Sequence, residues 1–162
     1  MINNGRAIYF DMDGTIADFY GVEGWLNDLE NYNTRPYAVA KPLLRMSSLA
    51  KRLNNLQRMG YVVGIVSWTS KSGTPSYNAE VTRVKLEWLK AHLPSVKFDE
   101  IHIVPYGTPK SKVVKVRNGI IFDDEERNRK EWDVANELGF AFDVNNIMEV
   151  LKALNWAFKE RK

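Results

Sequence analysis

Asp11 and Asp13 stand one residue apart in IYFDMDGTIADFYG (8–21), directly after four mostly apolar residues at 7–10. A second acid pair, Asp123 and Asp124, follows a similar apolar run in GIIFDDEERN (119–128). Ser67 ends a third run, YVVGIVS (61–67), and Lys110 and Lys112 lie in GTPKSKVV (107–114), shortly before the second acid pair. Four carboxylates gathered in one crevice repel one another, and some take up protons unless a cation joins them. Carboxylate and carbonyl oxygens favour a hard ion, and Mg²⁺ binds through one or two carboxylates plus waters and a substrate phosphate. A lysine and a serine hydroxyl beside that ion complete a clamp for a phosphoryl group. A carboxylate such as Asp11 can also serve as nucleophile and form an aspartyl phosphate.

These residues must be brought together by the elements that carry them. Five short runs, at 7–10, 61–67, 101–104, 119–122 and 139–144, are nearly continuous in apolar residues. That is the pattern of parallel strands covered on both faces. Helix-period segments lie between them. Leu49, Leu53 and Leu56 share a face within 46–58, and Val81, Val84 and Trp88 share one within 78–93. Trp132, Ala135 and Leu138 do so within 125–138, with Gly139 placed as a C-cap. Ile147, Val150, Leu151, Leu154 and Phe158 form a stripe within 146–158. This alternation predicts an α/β fold, a doubly wound, Rossmann-like parallel five-stranded sheet with right-handed crossovers. In such a sheet ligands bind at the carboxyl ends of strands, near a switch in strand order, which is where Asp11, Asp13, Ser67, Asp123 and Asp124 fall. Residues 20–45 are too long for a plain loop and are expected to form a small helical insertion over the edge of the sheet.

The chain of 162 residues suits one domain with a single core, and its 44 % apolar content with five Trp suits a packed globule. No run of 18 or more apolar residues is present, and MINNGR at the start lacks the apolar stretch of a signal peptide. Cys is absent, which excludes disulfides and thiolate metal sites. The expectation is a cytoplasmic protein with no membrane partner. The net charge of +3 permits a phosphate-bearing partner without demanding one.

Each motif alone has a plainer reading. A "DG" after a strand is usually a turn. DMDG does not fit a calcium loop, which places glycine sixth and glutamate twelfth. DDEERN alone would suit an acidic helix start. The order is what carries information: strand–DxDGT, strand–Ser, Lys, strand–DD, in one α/β chain.

With those motifs in that order, the chain resembles the haloacid dehalogenase superfamily of phosphohydrolases. DMDGTIAD is similar to its first motif, Ser67 to its second, the lysine to its third and IIFDD to its fourth. Within that superfamily the chain looks like the 5'(3')-deoxyribonucleotidases, in DMDGTIADF and in VKLEWLKAHLP (84–94) followed by FDEIHIV. It departs from them in a shorter insertion at 20–45 and in DDEER where that family has DDR. The resemblance implies a Mg²⁺-dependent phosphatase acting on a nucleotide or similar small phosphomonoester. Asp11 would be the nucleophile and Asp13 the general acid–base. Asp11, the Asp13 carbonyl, Asp123 and Asp124 would hold the ion. Ser67 and a lysine would hold phosphate oxygens, Lys112 being preferred for its nearness to the fourth strand and Lys110 second. Phe19 falls at that family's base-contacting aromatic position, and Trp68 is close enough to line the same mouth. A core role stays open for both, and Trp25 in the insertion is expected in the core.

Two other functions fit parts of the pattern. Basic stretches such as KSKVVKVR (110–117) could track a nucleic-acid backbone, which would make the substrate a nucleic-acid terminal phosphate. The set also resembles phospho-accepting response-regulator receivers, but there the acid pair comes first and the phosphorylated aspartate later. A binding module without catalysis fits poorly with a complete set of acids.

Overall fold

The computed structural model describes residues 5–160, with side chains through Trp156. The first four residues of MINNGR and the Phe158 side chain lie outside that description. The chain folds as β1 (Ala7–Phe10), β2 (Ala17–Asp18), α1 (Trp25–Glu30), α2 (Arg35–Val39), β3 (Lys41–Pro42), α3 (Met46–Arg58), β4 (Val62–Trp68) and α4 (Pro75–His92). It continues as β5 (Glu100–Val104), a 3₁₀ turn at Lys110–Lys112, β6 (Ile120–Phe122), α5 (Glu126–Ala135), β7 (Phe140–Phe142) and α6 (Ile147–Glu160). Five strands form an all-parallel sheet in the order β5-β4-β1-β6-β7. This is the α/β, Rossmann-like architecture expected from the alternating pattern. No helix among the described residues is long and apolar enough to cross a membrane.

β1 is the central strand, and its side chains alternate between two cores. Ile8 and Phe10 pack with Leu49, Leu53, Leu56, Ile65 and Leu151 on one face. Ala7 and Tyr9 pack with Val66, Ile121 and Trp132 on the other. All four β1 residues are at most 1 % exposed, which is why the run carries no polar residue that must reach water. The chain moves outward from β1 through β4 to β5, then crosses back to β6 on the other side of β1. The switch in strand order therefore lies between β1 and β6, where Asp11 and Asp123 end their strands.

The helices differ from expectation at two ends. α4 starts at Pro75 and not at 78, because the Thr74 side chain accepts a hydrogen bond from the Tyr77 amide (3.2 Å) and Pro75 occupies the first helical turn. α5 stops at Ala135, capped at Asn136, so Ala135 and Leu138 are exposed and only Trp132 keeps the expected buried face. Gly139 is not a helix cap. A Cβ there would press on the Gly119 carbonyl at 2.9 Å, a backbone approach that only glycine allows.

The insertion at 20–45 also sits elsewhere than expected. It consists of α1, α2 and β3, which pairs with β2 just before it in a small antiparallel ribbon, and it lies over the carboxyl ends of the strands instead of the sheet edge. A segment that leaves a central strand emerges at that end and has no short path to an edge. Two bonds bolt it to α4: the Trp88 indole donates to the Ala40 carbonyl (2.8 Å) and the Tyr77 hydroxyl to the Asn33 carbonyl (3.0 Å).

Candidate functional site

Register alone makes Asp11 and Asp123 neighbours. Phe10 is opposite Phe122, and the Asp11 amide still donates to the Phe122 carbonyl (3.0 Å). The next residue on each strand is an aspartate, on the same side of the pleat. After Asp11 the chain turns sharply, with the amides of Thr15, Ile16 and Ala17 all within 3.0 Å of the Met12 carbonyl. Gly14 sits in this turn at φ 77°, and the Asp124 carboxylate fills the space a Cβ would need. Carboxylate oxygens of Asp11, Asp123 and Asp124 lie within 4.8 Å of one another.

Lys110, not Lys112, faces this cluster. It is 2 % exposed, and its Nζ donates to Asp123 Oδ2 (2.6 Å) and Asp11 Oδ1 (3.0 Å). Lys112 is exposed. Pro109 leads into a 3₁₀ turn, in which residues two apart point to different sides, so only one of the two lysines reaches the acids. The turn is held from outside by Glu131, whose carboxylate accepts from the Ser111 amide (2.9 Å). Asp123 also accepts from Asn128 (3.2 Å) and from the Glu125 amide (3.0 Å), and its carbonyl accepts from Arg129 (2.9 Å).

Asp13 is held apart from the three-acid cluster. Its Oδ2 accepts from Lys85 Nζ at 2.8 Å, and the same ammonium donates to Ser67 Oγ (2.8 Å) and the Trp68 carbonyl (2.7 Å). Ser67 is 1 % exposed and lies behind this lysine instead of on the cavity wall; Thr69 and Ser70, just beyond it, line the cavity. Neither Lys85 nor Asn128 was singled out by sequence reasoning. Lys85 had a readable signal. It is four residues after Val81 and three before Trp88, which makes it the one charged residue on the buried stripe of α4.

A cavity of about 300 Å³ opens above the acids, with Asp11, Asp13, Lys110 and Asp124 at its floor. That is the low end of small-molecule pockets. One wall comes from the insertion: Tyr20, Trp25, Leu26, Leu29 and Tyr37. Trp68, Lys71 and Tyr106 form the other. Phe19 touches the cavity but is 3 % exposed, packed against Trp25 (5.4 Å between ring centroids) and Tyr37 (4.5 Å), so it is mainly core. Tyr20, 49 % exposed, offers the ring face that Phe19 does not. Trp25 is half-buried: it packs against the Phe19–Tyr37 core, in part as expected, and also lines the mouth. Of the two readings left open for Trp68 the cavity wall is the one found, with the ring fixed by an indole bond to the Thr108 carbonyl (2.9 Å).

The acids could hold a cation. Among the described residues, Lys85 and Lys110 are the cations bonded to Asp13, Asp11 and Asp123, so with all four acids ionised two negative charges remain, which one divalent ion would neutralise. Burial and then the Asp11 charge push the Asp123 and Asp124 carboxyls well above the usual range. Burial also raises Asp13, against the pull of Lys85. Burial and the nearby Asp13 charge raise Tyr20 and Tyr37, which stay neutral phenols. The donor set suits a hard divalent ion: three carboxylates each offer an oxygen, all within 4.8 Å of one another.

The raised acids fix the sign of a pH effect. Their unfolded values are near ~4, so between there and neutrality the folded chain binds more protons than the unfolded chain. The metal-free protein therefore loses stability as pH rises through that window, and Mg²⁺, if held by these acids in competition with those protons, should stabilise it more at about pH 8 than at about pH 5. Asp124→Asn should flatten this trend, raise the metal-free melting temperature by a few degrees and raise the Mg²⁺ needed for half-maximal effect. Asp123→Ala should lower the melting temperature instead, since it strips Lys110 of its nearer partner. Melting curves of both variants across pH, with and without Mg²⁺, check the split; equal shifts in the two would place the ion elsewhere.

Comparison with known proteins adds nothing to this geometry: no family model matches the chain, and no curated relative does.

Proposed function

We propose that this protein is a Mg²⁺-dependent phosphomonoesterase of the haloacid dehalogenase type, working through an aspartyl phosphate on a nucleoside monophosphate or similar small ester. The observation that carries the reading is the convergence of Asp11, Asp123 and Asp124 within 4.8 Å around Lys110, at the point where strand order switches. Asp11 attacks phosphorus while the bond to the leaving oxygen breaks, and Asp13 gives that oxygen its proton. Asp13 then takes a proton from water, whose oxygen attacks phosphorus and releases Asp11 and inorganic phosphate. Lys110 holds Asp11 in line and stabilises charge on the phosphoryl oxygens. A divalent ion held by Asp11, Asp123 and Asp124 would supply charge neutralisation at those oxygens. A screen of phosphomonoesters, including nucleotides and phosphorylated oligonucleotides, with and without Mg²⁺, tests the reading; no Mg²⁺-dependent release of phosphate from any of them rejects it.

Tyr20 from the insertion and Trp68 from the end of β4 both line the cavity, and aromatic rings there suit a planar base. Tyr20→Ala and Trp68→Ala should each raise KM for a nucleotide roughly tenfold and leave a small alkyl phosphate nearly unaffected, the pattern of lost remote binding. Phe19→Ala should instead lower the melting temperature and weaken both substrates alike. Steady-state kinetics on the two substrates decide the matter, and equal losses in the Tyr20 and Trp68 variants would remove the case for a nucleotide.

A nucleic-acid end is the second reading, favoured by two cations at the rim. The Arg127 guanidinium lies 5.0 Å from the centre of the Trp68 ring and 5.6 Å from that of Tyr106, and Lys71 lies 5.9 Å from Tyr106. They could receive a neighbouring phosphate. A steep fall of rate with salt on phosphorylated oligonucleotides, against a shallow one on mononucleotides, would favour it.

A further inference from the structure

We propose that Lys85 is the positioning residue of the acid–base step: its ammonium sets the Asp13 carboxylate in place for proton transfer. This role presupposes the phosphatase reading above. Lys85 is 1 % exposed in the middle of α4. Its three bonds, to Asp13 Oδ2 (2.8 Å), Ser67 Oγ (2.8 Å) and the Trp68 carbonyl (2.7 Å), use the three N–H donors of an ammonium. The acceptors come from the turn after β1 and from the end of β4, so one buried charge ties Asp13 to the rigid sheet. The ammonium also lies 5.2 Å from the centre of the Tyr37 ring, which places the insertion on the same anchor.

An apolar side chain at this position would pack with Val81 and Trp88 but would leave the Asp13 carboxylate without its cation. What the lysine adds is orientation. It occupies Asp13 Oδ2 and leaves Oδ1 for the proton. General acid–base transfer needs a donor–acceptor distance of about 2.6–3.2 Å, which a carboxylate free to rotate at a turn does not hold. In the first half-reaction the Asp13 proton passes to the leaving oxygen as the Asp11–phosphorus bond forms and the leaving bond breaks. In the second, Asp13 takes a proton from water as the water oxygen bonds to phosphorus and Asp11 is released. Both transfers use the carboxylate that Lys85 holds.

The two halves respond differently to the leaving group, which gives a test that general damage would not mimic. p-Nitrophenolate departs without a proton, whereas an alkoxide needs one. kcat/KM reports steps only through departure of the leaving group. In Lys85→Met, kcat/KM on ethyl phosphate with Mg²⁺ should fall about 100-fold or more, while kcat/KM on p-nitrophenyl phosphate stays near wild type. kcat on p-nitrophenyl phosphate should still fall, because water activation is impaired, and a burst of one p-nitrophenolate per protein should appear. Added to Asp13→Asn, Lys85→Met should cost nothing further on ethyl phosphate. Lys85→Arg keeps the charge but displaces the donors, gives the same split at smaller size, and carries the test where Lys85→Met does not fold. Equal loss of kcat/KM on both esters, without a burst, overturns the role of Lys85 and leaves the phosphatase reading intact. No turnover of either ester by the wild-type protein overturns both.

Discussion

Asp11→Asn is expected to lower kcat by more than about 10⁴-fold on every phosphomonoester while the chain still folds. The substitution removes the attacking oxygen yet keeps the shape of a side chain that is 10 % exposed. Lys110 retains Asp123 at 2.6 Å, so its charge stays paired. One negative charge leaves a cluster in which Asp11 is a main cause of the raised Asp123 and Asp124 carboxyls, so the metal-free melting temperature should hold or rise. Phosphate release and a melting curve on the same sample check both halves, and near-wild-type turnover would exclude an aspartyl phosphate on this residue.

Lys110→Met should have the largest effect on stability. Lys110 is 2 % exposed and is the cation between Asp11 and Asp123. Breaking a buried ion pair from one side costs about 3–5 kcal/mol, because the carboxylates stay behind uncompensated. In a chain of this size that is a drop in melting temperature on the order of 10 °C without metal. Mg²⁺ should recover part of the drop, since it supplies charge to the same carboxylates, whereas turnover should stay low with or without it. Lys112→Met, at an exposed position, should change neither. Equal behaviour of the two variants would mean that Lys110 is not the lysine of the site.

Asp11 and Asp123 were legible as a pair because a parallel sheet has few options. Two buried runs that each end in an acid must present those acids at the same end, and only the strand order remained to be found. Lys110 and Lys112 could not be separated from sequence, because the choice depends on how Pro109 starts a single 3₁₀ turn. Lys85 was passed over for another reason. A lysine on a helix reads as solvent-facing, and its partners come from residues 13, 67 and 68, far off in the chain. The insertion was recognisable as an insertion, but β2 and β3 have two residues each, too short for any periodicity, and its seat depends on Trp88 and Tyr77 of a later helix. The aromatic walls followed the same limit. The closeness of Phe19 and Tyr20 to the first motif was visible, whereas which ring faces the cavity is set by how they pack on one another and on Trp25 and Tyr37.

The central place of β1 in the sheet has a consequence for the chain as it is made. β4 and β5 can join β1 early, but its other neighbour, β6, begins only at Ile120. Until then β1 is an edge strand, with one row of backbone donors and acceptors open and with side chains that tolerate no water in the finished fold. The contacts that close this edge span most of the chain: Lys110 with Asp11 across 99 residues, and the Val116 amide with the Tyr9 hydroxyl across 107. Such long loops are slow to close, and a half-made sheet of this kind invites strand pairing between nascent chains. The crevice that holds the acids and the seam that covers this edge are the same joint, so any carboxylate chemistry the protein performs begins only once β6 has closed on β1.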